Sequence, residues 1–475
     1  MDHFGRSVEV HGNLVLVGTP DDDTQAENAG QVDLFDTEGI LVRSFANPNP
    51  RIGDRFGRIV SFDDNKVLIG ASNVEVNGVA GVGRAYLFDL TSGSLLQTFD
   101  DPLPTAGGHF GWGAAIDGNN VLVTAYQNDS AGDNVGQAYL FDAVSGDLRQ
   151  TFRDPTPTDS DEFGHFAALD GNYVIVGAPT DDSHGMNVGQ AHLFDVATGI
   201  LLHTFNNPSP DEEDRFGHSV WVDGENVLIG AWGANENRGI AYLYNSQGDL
   251  LQTFHDPTPT DADMFSRELV IDGDLVLIGD MRDDTFGVDV GRAHLFDATT
   301  GRLLQSFDTP TATGNGHFGR SVALDGNAVV IGAHHDNTLG PEVGQVHIFT
   351  ISIPGDFNGD SHLTITDLEL LTEHVLSGEH VDDFDLNDDA LVDAQDREFW
   401  LHDLKNTFFG DADLNGEFNS GDLVAVFQTG KYETGSDATW AEGDSNGDGT
   451  FSSSDLVLAF QDGGYEQGPR AAVSA

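Results

Sequence analysis

The sequence contains no cysteine. Disulfide scaffolds, zinc–thiolate centres and cysteine nucleophiles are therefore excluded. Basic residues are scarce: 20 Lys and Arg stand against 79 Asp and Glu, a net charge of -59. Nucleic-acid binding rests on Lys and Arg against phosphate, so this balance argues against nucleic acid and against an anionic membrane surface. It favours divalent cations, cationic partners or plain hydration. No apolar run approaches the roughly 20 residues that span a bilayer. No export signal is visible ahead of Phe4, where the first repeat begins.

What the chain does have is a repeat. Phe4, Phe56, Phe110, Phe163, Phe216, Phe265 and Phe318 open seven copies, spaced 52, 54, 53, 53, 49 and 53 residues apart. In the fourth copy, 163–169 alternates loosely and ends at Asp170-Gly171-Asn172, residues suited to a tight hairpin turn. A β-branched run, 173–176, reads as a buried strand, 189–194 as a third strand and 201–205 as a fourth. The unit is a four-stranded antiparallel meander, and 58 glycines suit its density of turns. Seven such units at this period predict a mainly β fold, a seven-bladed β-propeller over 1–352, with an open β-solenoid as the alternative.

Strands one–two and three–four have tight turns, whereas the other two connections are long. The long loops share one face, which is the expected binding face. Asp21, Asp22, Asp23, Asp181, Asp182, Asp283 and Asp284 lie in two–three loops. Asp159, Asp161, Glu162, Asp211 to Asp214, Asp261 and Asp263 lie in four–one loops. They either hold calcium or a basic partner, or cap turns and stay solvated. His3, His109, His165, His218 and His317 flank the opening Phe-Gly and read as packing or rim residues. Trp112, Trp221 and Trp232 are candidates for core burial or sugar stacking. No catalytic set stands out.

Phe163-Gly164 paired with Gly177-Ala178-Pro179 resembles the FG-GAP repeats of integrin α-subunit propellers and their bacterial relatives. That resemblance implies a seven-bladed propeller used in adhesion or ligand binding. The calcium loop that some members carry between strands one and two is replaced here by a short turn. The seventh copy has no fourth-strand motif after 343–350, and only three residues precede Phe4. The expectation is that a closing strand and an export signal lie upstream of Met1.

Beyond Pro354 the composition shifts: from 356 onward there are 27 acidic and 4 basic residues. Calcium loops of the EF-hand kind place oxygens at positions 1, 3, 5, 7, 9 and 12, with Gly at 6. Four segments follow that grid. The first offers Asp356, Asn358, Asp360 and Asp367, with the His362 carbonyl at position 7. The second offers Asp385, Asn387, Asp389, Asp393 and Asp396, with Leu391 at position 7. The third offers Asp411, Asp413, Asn415, Asn419 and Asp422, with Glu417. The fourth offers Asp444, Asn446, Asp448, Ser452 and Asp455, with Thr450. Gly416 and Gly449 satisfy position 6; Ser361 and Ala390 would have to adopt a left-handed conformation.

Each loop leads into a helix, with Leu423 and Phe427, and Leu456 and Phe460, spaced i, i+4. Paired loop–helix units of this kind resemble dockerin type I modules, here 354–405 and 409–466, followed by a disordered tail, 467–475. The segment 443–461, GDSNGDGTFSSSDLVLAFQ, resembles the tails of planctomycete-type secreted proteins. The resemblance implies Ca2+ as cofactor and a cohesin-like domain or cell-surface component as partner. It places partner contacts at Ser420, Gly421, Ser453 and Ser454, where Gly421 departs from the usual hydroxyl. Calcium binding and folding should be coupled in such loops.

The expected function is a secreted or cell-surface, non-enzymatic bacterial protein. Its propeller recognises a protein or glycan and its tail docks or anchors it. The alternatives are an extracellular polysaccharide- or phosphodiester-active enzyme with its site on the propeller face, and a propeller that only spaces other parts.

Overall fold

In the computed structural model, residues 2–470 are described except 64, 261, 312–313, 352, 360–361, 379–380 and 388. The chain forms two compact units, Met1–Thr350 and Ile351–Ala475.

The first unit is a seven-bladed β-propeller. Six sheets have four antiparallel strands in sequential order, and the seventh has three among the described residues. Burial explains the strand chemistry. Second strands such as Lys66–Ala71 (KVLIGA) are buried on both faces and read as continuous apolar runs. Fourth strands such as Leu95–Asp100 are outermost and exposed, except for one phenylalanine that turns back to the core. The opening phenylalanines Phe56, Phe110, Phe163, Phe216, Phe265 and Phe318 have no exposed surface.

Aromatic contacts join blade to blade. Phe99 of blade two meets Phe141 of blade three at 5.1 Å between ring centroids, and Phe152 meets Phe194 likewise at 5.1 Å. The Asp-Gly turns do more than reverse the chain. Each turn aspartate accepts a backbone N–H from the turn glycine of the next blade: Gly171 to Asp117 at 2.9 Å, Gly224 to Asp170 at 2.7 Å and Gly273 to Asp223 at 2.7 Å. The series runs across the seam, where Gly12 of blade one donates to Asp325 of blade seven. Ser321 also donates to the Gly5 carbonyl at 2.7 Å, and Phe4 N–H to Val343 at 2.9 Å. Blades one and seven are therefore joined by direct packing and hydrogen bonds.

In the fourth copy the first strand is Ala167–Asp170, shorter than the alternation of 163–169 suggests. Gly164 has φ +90°, so the chain turns there before the strand begins. The remaining strands, Tyr173–Ala178, Gln190–Asp195 and Leu201–Asn206, lie where the sequence places them.

The second unit carries the helices Ile365–Ser377, Ala394–Phe399, Ser420–Gln428 and Ser453–Asp462. Leu368, Leu371, Trp400, Leu401, Phe409 and Trp440 form one core. The two loop–helix pairs read from sequence thus share an interior. Of the tail expected to be disordered, 471–475 lies outside the described residues. Within 467–470, the Arg470 carbonyl accepts from Asn406 at 3.1 Å. Among the described residues no helix is long and apolar enough to cross a membrane.

Candidate functional site

The residue two places after each opening phenylalanine points to the propeller axis. In chain order these are Arg6, Arg58, Trp112, His165, His218, Arg267 and Arg320. Arg6, Arg58, Trp112 and His165, together with the first strands of the seven blades, border an axial cavity of about 350 Å³. A second cavity of about 230 Å³ is lined by Arg6, Arg58, Trp112, His3, His334 and His335, among others. In a chain of net charge -59, four arginines converge on one axis.

Their electrostatics are strained. Arg58 and Arg320 are almost wholly buried. Burial, and after it the neighbouring Arg320, holds Arg58 down to about 9, and Arg267 likewise. Burial, Arg320 and Arg58 press Arg6 further down. Among the described residues only Arg320 of these four has a close counter-ion, Glu268. Arg58 also lies 3.6 Å over the Trp112 ring, a cation–π contact that fixes its guanidinium. His165 and His218 lie with ring centroids 4.7 Å apart, tilted at 45°, and are held neutral by burial. Glu9, lower in the channel, is pushed up to about 8 by burial and so is neutral at pH 7. The axis is a preformed basic, aromatic-edged site with an anion-sized need for countercharge.

His165, His218, His3 and His317 were legible as rim or packing residues, and the model places them around this axis. His317, His334 and His335 bring one ring nitrogen each within 4.8 Å of one another. The arginines were missed. Their signal is a column, visible only when the copies are aligned on Phe-Gly and read two residues on.

The acidic loop residues separate into two kinds. Asp22, Asp23, Asp182 and Asp284 accept backbone N–H groups inside their own loops. That is the turn-capping role. Asp161, Asp181, Asp263 and Asp283 also accept loop N–H groups, from Thr158, Ser183, Thr260 and Thr285, but are fully buried. Asp261 lies outside the described residues. Trp112 and Trp232 are half-buried under arginines, with Arg267 5.2 Å from the Trp232 ring.

Four stretches match the FG-GAP repeat. They are 104–141, 156–194, 210–244 and 311–349, covering copies three, four, five and seven. The computationally designed Ika8 protein matches with a TM-score of 0.44 and 15% identity, over 74% of this chain and 96% of that one. No curated protein matches. The FG-GAP pairing has a geometric basis here. The glycine of each Gly-Ala element lies against the carbonyl of the residue after the opening phenylalanine of the next blade, a glycine except at Ser266. A Cβ on Gly177 would sit 1.8 Å from the Gly217 oxygen, and one on Gly70 would sit 2.1 Å from that of Gly111.

The four tail loops share one scheme. The position-12 carboxylates Asp367, Asp396, Asp422 and Asp455 are buried. Each accepts backbone N–H groups from the start of its loop and from position 9. Asp422, for example, accepts from Ala412 at 2.9 Å and Asn419 at 2.9 Å. Thr364, Asp393, Asn419 and Ser452 cap the following helices in reciprocal capping boxes with these same aspartates. At position 6, Gly416 and Gly449 have φ of 92° and 86°, and Ala390 adopts 68°. Asp360 and Ser361 of the first loop lie outside the described residues. In the third loop one oxygen each of Asp411, Asp413 and Asp422 lies within 4.8 Å of the others. Ser420, Gly421, Ser453 and Ser454 occupy the first turns of their helices, with Ser453 N–H on Glu433 at 2.9 Å.

Proposed function

We propose that this chain is an extracellular recognition protein whose propeller binds an anionic group at its axis. The observation that carries the reading is the column Arg6, Arg58, Arg267 and Arg320, with Arg58 and Arg320 buried, Arg58 over Trp112, and among the described residues one close carboxylate counter-ion. Guanidinium forks suit carboxylate, sulfate and phosphate, and an indole edge suits a sugar face. An acidic glycan or an acidic protein segment fits this chemistry, and the FG-GAP repeats fit a ligand-binding, cell-exterior role. The proposal is of a binder, without a catalytic role for the axial residues.

The tail completes the reading as a calcium-stabilised docking module. Its donor set is all oxygen, as Ca2+ prefers. Asp356, Asp385, Asp411 and Asp444 would hold the ion at position 1, with Asn358, Asn387, Asp413 and Asn446 at position 3. The ion would supply countercharge to crowded carboxylates, and a cohesin-like partner would contact the helix starts.

The axial site is tested by binding of polygalacturonate, an acidic polysaccharide, with neutral dextran as control. The expected result is polygalacturonate binding that weakens with salt and drops at least tenfold in an Arg6→Gln/Arg58→Gln double variant. Equal binding of dextran, or full binding by the double variant, would refute it.

A further inference from the structure

Where neighbouring blades meet, the end of one fourth strand faces the loops of the next blade. At three of these junctions a buried carboxylate is matched by a neutral donor. Asn47 donates to Asp54 at 2.9 Å, Asn128 to Asp101 at 3.0 Å and Asn207 to Asp214 at 2.7 Å. The junction of blades three and four instead gathers three buried carboxylates, Asp154, Asp161 and Asp181, and that of blades five and six goes further. Asp256, Asp263 and Asp283 occupy the junction positions, and Asp280 adds a fourth carboxylate where copies two to five and seven have alanine.

Asp280, Asp283 and His294 have no exposed surface, and Asp256 has 9%. One ligand atom from each of Asp256, Asp280, Asp283 and His294 lies within 4.8 Å of every other. Among the described residues neither Asp280 oxygen has a hydrogen-bond partner, nor do Asp256 Oδ2 and His294 Nε2. His294 Nε2 lies 3.9 Å from Asp280 Oδ2. Its other nitrogen, Nδ1, is held by Ser306 Oγ at 2.8 Å. With Nδ1–H donating to that hydroxyl, the Nε2 lone pair faces the carboxylates, the arrangement a second-shell partner gives a metal-bound histidine. The nearby Arg292 does not resolve the charge, because its guanidinium is taken by Asp308 at 2.7 Å and Thr258 at 3.2 Å.

We infer that Asp256, Asp280, Asp283 and His294 form a site for a divalent transition cation, zinc or manganese, that clips blade five to blade six. Three buried carboxylates this close cannot all carry charge without a cation or shared protons. Three oxygens and one imidazole nitrogen make a closed four-ligand set suited to a structural ion. The nitrogen sets it apart from the all-oxygen tail loops. Asp256 follows the last strand of blade five, Leu250–His255, while Asp280 and His294 lie on strands of blade six. An ion here would therefore cross-link two blades.

The test uses the full chain, stripped with chelator, kept in excess Ca2+ to occupy the tail, and titrated with Zn2+ or Mn2+. Bound metal is counted by mass spectrometry and the thermal midpoint is followed. Asp280→Ala and His294→Tyr restore residues the repeat itself uses, at Ala178 and Tyr242. The expected result is one tight Zn2+ or Mn2+ in the parent that both variants bind at least tenfold more weakly. The ion should raise the melting point of the parent alone. No Zn2+ or Mn2+ in the parent beyond what Asp280→Ala retains would overturn the site. So would undiminished binding by a folded His294→Tyr chain.

Discussion

Substituting Gly177 by alanine tests whether the FG-GAP pairing is the contact that sets blade spacing. Gly177 is not in a left-handed conformation, so backbone preference favours the alanine. The obstacle is the next blade. The added Cβ would lie 1.8 Å from the Gly217 carbonyl oxygen, whereas real Cβ contacts essentially never fall under 3.0 Å. The blades must part by more than an ångström at a point where the ring allows no free displacement. Overpacking of this kind costs about 1–3 kcal/mol. Unfolding entropy of about 2.1 cal/mol/K per residue, over the propeller unit, gives about 0.7 kcal/mol/K. A destabilisation of about 2 kcal/mol therefore lowers the melting temperature by about 3 °C. Gly314 is the control, since its added Cβ meets nothing closer than 3.7 Å. Calorimetry on the two variants decides the matter. A Gly177→Ala propeller melting within 1 °C of the parent, or a Gly314→Ala shift of equal size, would refute the reasoning.

Glu9 gives a pH signature. Its carboxyl, pushed up to about 8, keeps a proton that the unfolded chain gives up above its ordinary value of 4.5. Stability is therefore lost as pH rises from 4.5 through about 8. Glu9→Gln should raise the melting point at pH 9 and leave it unchanged at pH 4. Polygalacturonate affinity should likewise fall above pH 8 in the parent but not in Glu9→Gln, as measured by calorimetric titration. In the second unit, far-ultraviolet circular dichroism should show helix lost in chelator and regained in millimolar Ca2+; equal helicity in both would refute calcium-coupled folding. Ser452→Ala removes the N-cap of Ser453–Asp462 and should cost about 1 kcal/mol in a denaturant titration of that unit. Phe254→Ala, which empties a contact 5.3 Å from Phe296 across a blade junction, should cost about 3–5 kcal/mol.

The repeat made the propeller legible because its recurring residues are those that every junction needs. Phe163 fills a gap, Gly177 permits a close approach, and Asp170 reaches the next turn. Such residues recur because the geometry recurs. The tail was legible for a related reason: alternate oxygens in a short loop can converge only on a grid of odd positions. What the grid does not reveal is the double duty of Asp455. It closes the loop by accepting Asn446 and Ser452 N–H groups, at 3.0 and 2.8 Å, and caps the helix as well. Nor does spacing predict that Trp440 of the second pair shares a core with Leu368 and Trp400 of the first.

The features that bear on function sit in columns where the copies disagree. Two residues beyond the opening phenylalanine the chain reads Arg, Arg, Trp, His, His, Arg, Arg, so no motif search along the sequence finds it. Seven-fold closure turns that column into a ring facing a single axis, and residues some 50 apart become neighbours. The same holds for Asp280, a single departure from alanine. Its importance depends on Asp256 from the preceding blade and on His294 of the neighbouring strand. A ring of near-identical blades is constrained at every shared contact. Its free positions are those whose side chains leave the blade, toward the axis or into a junction. Chemistry in such a fold is therefore found by aligning the copies and asking which deviation buries a charge that its own blade cannot satisfy. By that criterion the arginine axis and the Asp256–Asp280–Asp283–His294 cluster stand out, the latter by Asp280, which the Asp154–Asp161–Asp181 junction lacks.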